Sequence, residues 1–217
     1  MGTTITTDVQ IKPAPTSGGG PTDPFDPKDW PPGYSRDDAL EPVKYRIGMW
    51  VALGSISMLF AALTSAYIFR EGSADWIAIR MPPALWISTA AILASSLTFE
   101  FARRALRRGY HALFSRWITL TTALGLCFLA FQIVAWRDLR AQGVYVNTNP
   151  HSSFFYLLTS LHAVHLAGGL IALMLVTAAA LRSRVGFRKR NVAEVTAIYW
   201  HFMDVLWVYI FVLLFFL

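Results

Sequence analysis

The stretch Tyr156–Gly169 reads YLLTSLHAVHLAGG. It lies inside a run, Ala141–Leu181, that contains no Asp, Glu, Lys or Arg. A helix rises about 1.5 Å per residue, so about 20 residues cross roughly 30 Å of hydrocarbon. The run exceeds that length, and its later part, from about Phe154, reads as a membrane span carrying His162 and His165. Two imidazoles in such a place hold a metal or a haem, carry protons, or pin helices together.

The rest of the chain has the same texture. Of 217 residues, 55% are apolar and only 15% are charged, against about a quarter in an ordinary soluble domain. Four more apolar runs appear: Ile47–Phe69, Met81–Phe99 and Trp117–Trp136, all uncharged, and Val195–Leu217, whose one charge is Asp204. Lipid offers no partner to a loose backbone group, so such runs cross as helices. The short alternating strands of a β-barrel are absent. The expectation is an all-α polytopic membrane protein with five transmembrane helices, at about 45–70, 82–107, 115–138, 152–182 and 192–217. A soluble bundle would lack the polar surface to cover five such segments.

Residues 1–44 differ. They include PAPTSGGGPTDPFDPKDWPPG, residues 13–33, with five prolines between Pro21 and Pro32. That spacing supports no periodic apolar face, and the segment is expected to be extended or disordered. Met1–Gly20 lacks the basic and apolar regions of a signal peptide. Insertion is therefore assigned to the first span of the membrane domain, residues 45–217.

The basic charge is concentrated in two loops. One holds Arg103, Arg104, Arg107, Arg108 and Arg116; the other holds Arg182, Arg184, Arg188, Lys189 and Arg190. The remaining loops are nearly balanced. The positive-inside rule then places the N-terminus in the cytoplasm and the C-terminus outside. The net charge of +6 faces anionic headgroups or partner subunits, not nucleic acid, since no recognition fold accompanies it. The single cysteine, Cys127, excludes an internal disulfide and a multi-cysteine metal cluster.

Ionisable groups inside a span are costly and usually turn toward protein. His162 and His165 share the i,i+3 spacing with His201 and Asp204. Glu100 ends the second apolar run and Gln132 lies late in the third. Together these six are expected to form a polar network across helix seams. Three histidines and Asp204 also fit a metal-ligand set by residue type. A proton path would need more carboxylates than the spans contain. Ala167, Gly168 and Gly169, with Gly54 and Gly125, favour close helix approach. Serines are plentiful, but no nucleophile site stands out. His151 and His111 are expected at wet, interfacial positions.

SSFFYLLTSLHAVHLAGGLIAL (152–173) followed by YWHFMDVLWVYIFVLLF (199–215) resembles cytochrome c oxidase subunit III. The likeness is to the five-helix bacterial form found in haem-copper oxidases, from about Tyr45 to Leu217. His162, His165 and Gly169 match its histidine-glycine element. Tyr199, Trp200, His201, Phe202, Asp204 and Trp207 match its last helix, and Gln132, Trp136 and Leu139 its third-helix pattern. The first helix departs: SISMLF (55–60) places Ile56 where the family carries glutamate. Ala135 replaces a second glutamate.

The resemblance implies a noncatalytic subunit of an enzyme complex, with no catalytic, metal or cofactor-binding residue of its own. Haem and copper are then expected in partner subunits, with subunit I as main partner. Bound phospholipid is expected too; Arg46, Trp86, Arg103 and Arg104 are the candidate headgroup contacts. The implied place is the bacterial inner membrane, in aerobic respiration with proton translocation. Quinol oxidases, and the subunit III-like accessory protein of nitric oxide reductases, share this pattern. A small transporter or a histidine-based metal-binding membrane protein is the alternative of a different class.

Overall fold

The structure, a computed structural model, describes residues 36–71, 82–146, 149–182 and 187–216, with side chains from 44 and from 192 onward in the first and last of these stretches. Within them lie five α-helices and no strand: α1 (Arg36–Glu71), α2 (Ala84–Arg107), α3 (His111–Ala141), α4 (Pro150–Leu181) and α5 (Phe187–Phe216). Each contains a stretch long and apolar enough to cross a membrane. The all-α, five-span expectation is met. Of the N-terminal segment, residues 1–35 lie outside the described residues, and the backbone from Arg36 onward is already helical in α1.

The helices extend past several of the apolar runs that announced them. The end of α2 takes in Arg103, Arg104 and Arg107, and arginine is a good helix former. Charge therefore marks where the apolar run ends, not where the backbone ladder stops. Glycine marks the latter. Gly109 (φ 78°) and Gly143 (φ 79°) adopt the left-handed conformation just past α2 and α3. There, Tyr110 N–H donates to Ala105 O and Gly109 N–H to Leu106 O, while Val144 N–H donates to Leu139 O and Gly143 N–H to Arg140 O. Both ends are Schellman motifs, which satisfy the last carbonyls. α4 starts on a capping box: Ser152 N–H donates to Asn149 Oδ1, Asn149 N–H donates to Ser152 Oγ, and Pro150 stands at the first helical turn.

α2, α3, α4 and α5 close a ring in which α2 packs on α3, α3 on α4, α4 on α5, and α5 back on α2. α1 meets α4 mainly through aromatic rings. Phe60 lies edge-on to His165, and Tyr67 edge-on to His151 and Phe154. The outer surface is greasy, with Phe69 88%, Met58 77% and Val205 69% exposed, as suits lipid. The interior mixes large aromatics with fully buried small polar groups, among them Ser88, Ser95, Thr121 and Thr159.

Candidate functional site

The polar interior is organised by α5. Trp200 is fully buried and reaches all three other helices of the ring. Its indole N–H donates to Ser95 Oγ of α2 at 3.0 Å. Its ring lies so close to Gly125 of α3 that a Cβ there would sit 2.8 Å from Trp200 Cη2. A Cβ at Gly169 of α4 would sit 3.7 Å from Trp200 Cε3. Trp207, two turns on, repeats the arrangement. It donates to Thr89 Oγ1 of α2 at 3.0 Å, and its ring centre is 4.9 Å from Phe128 of α3 and 5.1 Å from His162 of α4.

The hydroxyls suit this role for a simple reason. Each has one proton and two lone pairs. Ser95 donates to Ile92 O at 2.7 Å and Thr89 to Leu85 O at 2.8 Å, so the proton goes to their own helix. The lone pairs remain to receive an indole N–H from across the seam. Thr159 of α4 does the same: it donates to Phe155 O at 2.7 Å and accepts from Trp136 Nε1 of α3 at 3.2 Å. Thr98–Thr121 (2.9 Å) joins α2 to α3, and Thr122–Thr177 (2.8 Å) joins α3 to α4. Tyr199 Oη donates to His165 O at 2.9 Å, tying α5 to α4.

The six residues expected in a polar network have different surroundings. His201 Nδ1 hydrogen-bonds the Ser96 hydroxyl of α2 at 2.6 Å. Asp204 is buried, and neither carboxyl oxygen has a partner at hydrogen-bond distance. His165 donates through Nδ1–H to Leu161 O of its own helix at 2.8 Å. His162 and Gln132 are wholly buried, and none of their side-chain nitrogen or oxygen atoms is hydrogen-bonded. Glu100 pairs with Arg103 at 2.9 Å and Arg104 at 3.2 Å, both on α2. No hydrogen bond or ion pair directly joins two of the six. Nor, among the described residues, do three His, Cys, Asp or Glu side chains converge as a metal-ligand set.

Ser96→Ala tests the His201 contact. The half-buried imidazole would lose its partner across the α2–α5 seam, at a cost of about 0.5–1.5 kcal/mol. A lower melting midpoint of the protein in detergent is expected, whereas an unchanged one would remove Ser96 from the seam.

The four candidate headgroup contacts do not form one site. Arg103 and Arg104 stand near the end of α2, where Arg107 also pairs with Glu194 of α5 at 3.4 Å. Trp86 is in the first turn of α2, against Phe211 and Phe215 at the other end of α5. Arg46 is exposed on α1. The Glu100 pairs are helix-local and partly exposed, so Glu100→Gln should cost only about 0.2–1 kcal/mol, a loss that fades as salt is raised. Melting at low and high salt checks this.

His111 is exposed as expected. His151 is not at a wet position: it is 2% exposed, because Tyr67 of α1 lies over it. The hydroxyl partners Ser95, Ser96, Thr89 and Thr159 were not singled out by the sequence. Serine and threonine are frequent throughout the spans, and only their position opposite a tryptophan or histidine distinguishes them.

A family model for cytochrome c oxidase subunit III matches residues 76–217. Cytochrome c oxidase subunit 3 of Alkalihalophilus pseudofirmus is 30% identical, over 83% of this chain and 90% of the relative. The probable cytochrome c oxidase subunit 3 of Mycobacterium bovis is 31% identical, over 79% and 87%. Cytochrome c oxidase subunit 3 of Bacillus sp. strain PS3 is 29% identical, over 84% and 90%. With the five spans and the histidine and tryptophan elements in place on α4 and α5, the chain belongs to the cytochrome c oxidase subunit III family.

Proposed function

We propose that this chain is the noncatalytic, cofactor-free subunit III of a bacterial haem-copper terminal oxidase, held in the inner membrane against subunit I and coated by phospholipid. Haem and copper belong to its partners. The carrying observation is how the polar groups of the spans are used. Trp136, Trp200, Trp207 and His201 each bond to a hydroxyl on a neighbouring helix. Such bonds stabilise a bundle against lipid, where apolar contact between helices gains little over contact with acyl chains. They build a scaffold and leave oxygen chemistry to another subunit.

In this reading the basic α2–α3 connection is cytoplasmic, residues 1–44 precede the 45–217 membrane domain on the same side, and α5 ends outside. Arg46, Arg103 and Arg104 then meet anionic headgroups at the inner leaflet and Trp86 meets the outer interface. The support is the loop charge and the exposure of Arg46, Arg104 and Trp86. His111→Cys in a Cys127→Ser background tests the orientation: an impermeant thiol reagent should label inverted vesicles and spare intact cells. Labelling of intact cells would reverse it. Purification in mild detergent tests the assembly. The chain should emerge with a larger haem-bearing subunit, and after dissociation should itself carry no haem or copper.

A further inference from the structure

Two polar side chains at the α3–α4 seam remain unaccounted for by the bonds described above. Gln132 is 1% exposed and His162 is 0% exposed. Gln132 Oε1 and Nε2 and His162 Nδ1 and Nε2 all lack a hydrogen-bond partner within the protein. The two residues occupy the same level of the bundle. Phe128, one turn before Gln132, touches His162, ring centre to ring centre at 6.1 Å. Trp136, one turn after Gln132, bonds to Thr159, one turn before His162. Gln132 is thus bracketed on α3 by residues that contact Thr159 and His162 on α4, yet it bonds to neither.

We propose that an internal water molecule bridges Gln132 and His162. Buried polar groups left without a partner are costly, and burial in lipid removes the bulk water that would otherwise serve them. Water supplies what the set lacks. The glutamine amide offers donors and an acceptor, and a neutral imidazole offers one of each. Thr159 Oγ1 has spent its proton on Phe155 O and one lone pair on Trp136, which leaves a second lone pair. These three side chains provide the two to four polar contacts that hold a buried water. A metal ion is disfavoured, since among the described residues no ligand set of three His, Cys, Asp or Glu forms. A larger ligand is disfavoured by the fully buried rings of Phe128 and Trp207 on either side of His162. The site would give α3 and α4 a polar lock one turn below the Trp136–Thr159 bond.

A map of the intact oxidase complex, at a resolution that shows ordered water, tests this directly. A peak about 2.7–3.2 Å from both the Gln132 amide and a His162 ring nitrogen is expected. A direct amide–imidazole bond, or no peak at all, would overturn the proposal. A double-substitution cycle supplies an independent measurement. Gln132→Leu and His162→Leu should each lower the melting midpoint of the complex by stranding the other residue. The double variant should lose less than the two losses added together; simple additivity would argue that no bridge exists.

Discussion

Trp200→Ala is expected to destabilise the bundle by about 3–5 kcal/mol, the range for removing a buried aromatic ring from a packed core. The residue is fully buried and touches α2, α3 and α4 at once. Its removal opens a cavity beside Gly125, which has no side chain with which to fill it. Ser95 also loses the indole donor that ties α2 to α5. Trp200→Phe separates the two contributions. It keeps most of the ring and loses the hydrogen bond, which in a membrane is worth about 0.6 kcal/mol on average. Unfolding of the purified complex in a denaturing-detergent titration reads both. Near-equal losses for the two variants would mean that the ring's volume contributes little, against this account.

Gly125→Ala is expected to cost about 1–3 kcal/mol, the usual penalty for overpacking a tight core. The new methyl would lie 2.8 Å from Trp200 Cη2, 3.0 Å from Cζ2 and 3.2 Å from Leu170 Cδ1. Trp200 cannot simply withdraw, because its indole N–H is bonded to Ser95. Gly169→Ala meets the same obstacle at Tyr199, whose ring is 2.7 Å away and whose hydroxyl is held by His165 O. Gly54 and Gly168 provide controls on helices α1 and α4. A Cβ at either meets nothing within 4 Å, and alanine in a helix is favoured over glycine by roughly 0.5–1 kcal/mol. Their substitutions should be neutral or mildly stabilising. Thermal melts of the four variants in one detergent check the ordering.

The five spans were readable because charge is so sparse: a run such as Ala141–Leu181 has one interpretation in length and composition. The glycines expected to bring helices together were readable only as a class. Gly125 and Gly169 seat aromatic rings, while Gly54 and Gly168 face open space, and nothing in the residue type separates them. The histidine pair shows the same boundary. His162 and His165 are near neighbours on one helix, yet His162 meets Phe128 and Trp207 while His165 meets Phe60. Ser95 and Ser96 are adjacent in sequence; one receives Trp200 and the other bonds to His201. Partner choice across a seam depends on helix rotation and register to within one residue, which periodicity alone leaves free.

The departures at Ile56 and Ala135 sit within the same core. Both are buried, at 9% and 0% exposure, so the two positions are filled by apolar packing in this chain. The polar links that remain are those of the hydroxyl, indole and imidazole groups, which is consistent with a bundle whose spans act as a scaffold.

Oxygen consumption per haem, compared between the complete complex and the complex from which this chain has been removed, distinguishes a scaffold from a catalytic subunit. The initial rate per haem is expected to survive removal, while the depleted complex loses activity sooner on warming. Abolition of the initial rate, with the haem spectrum of the remaining subunits unchanged, would contradict it and place a catalytic group in this chain.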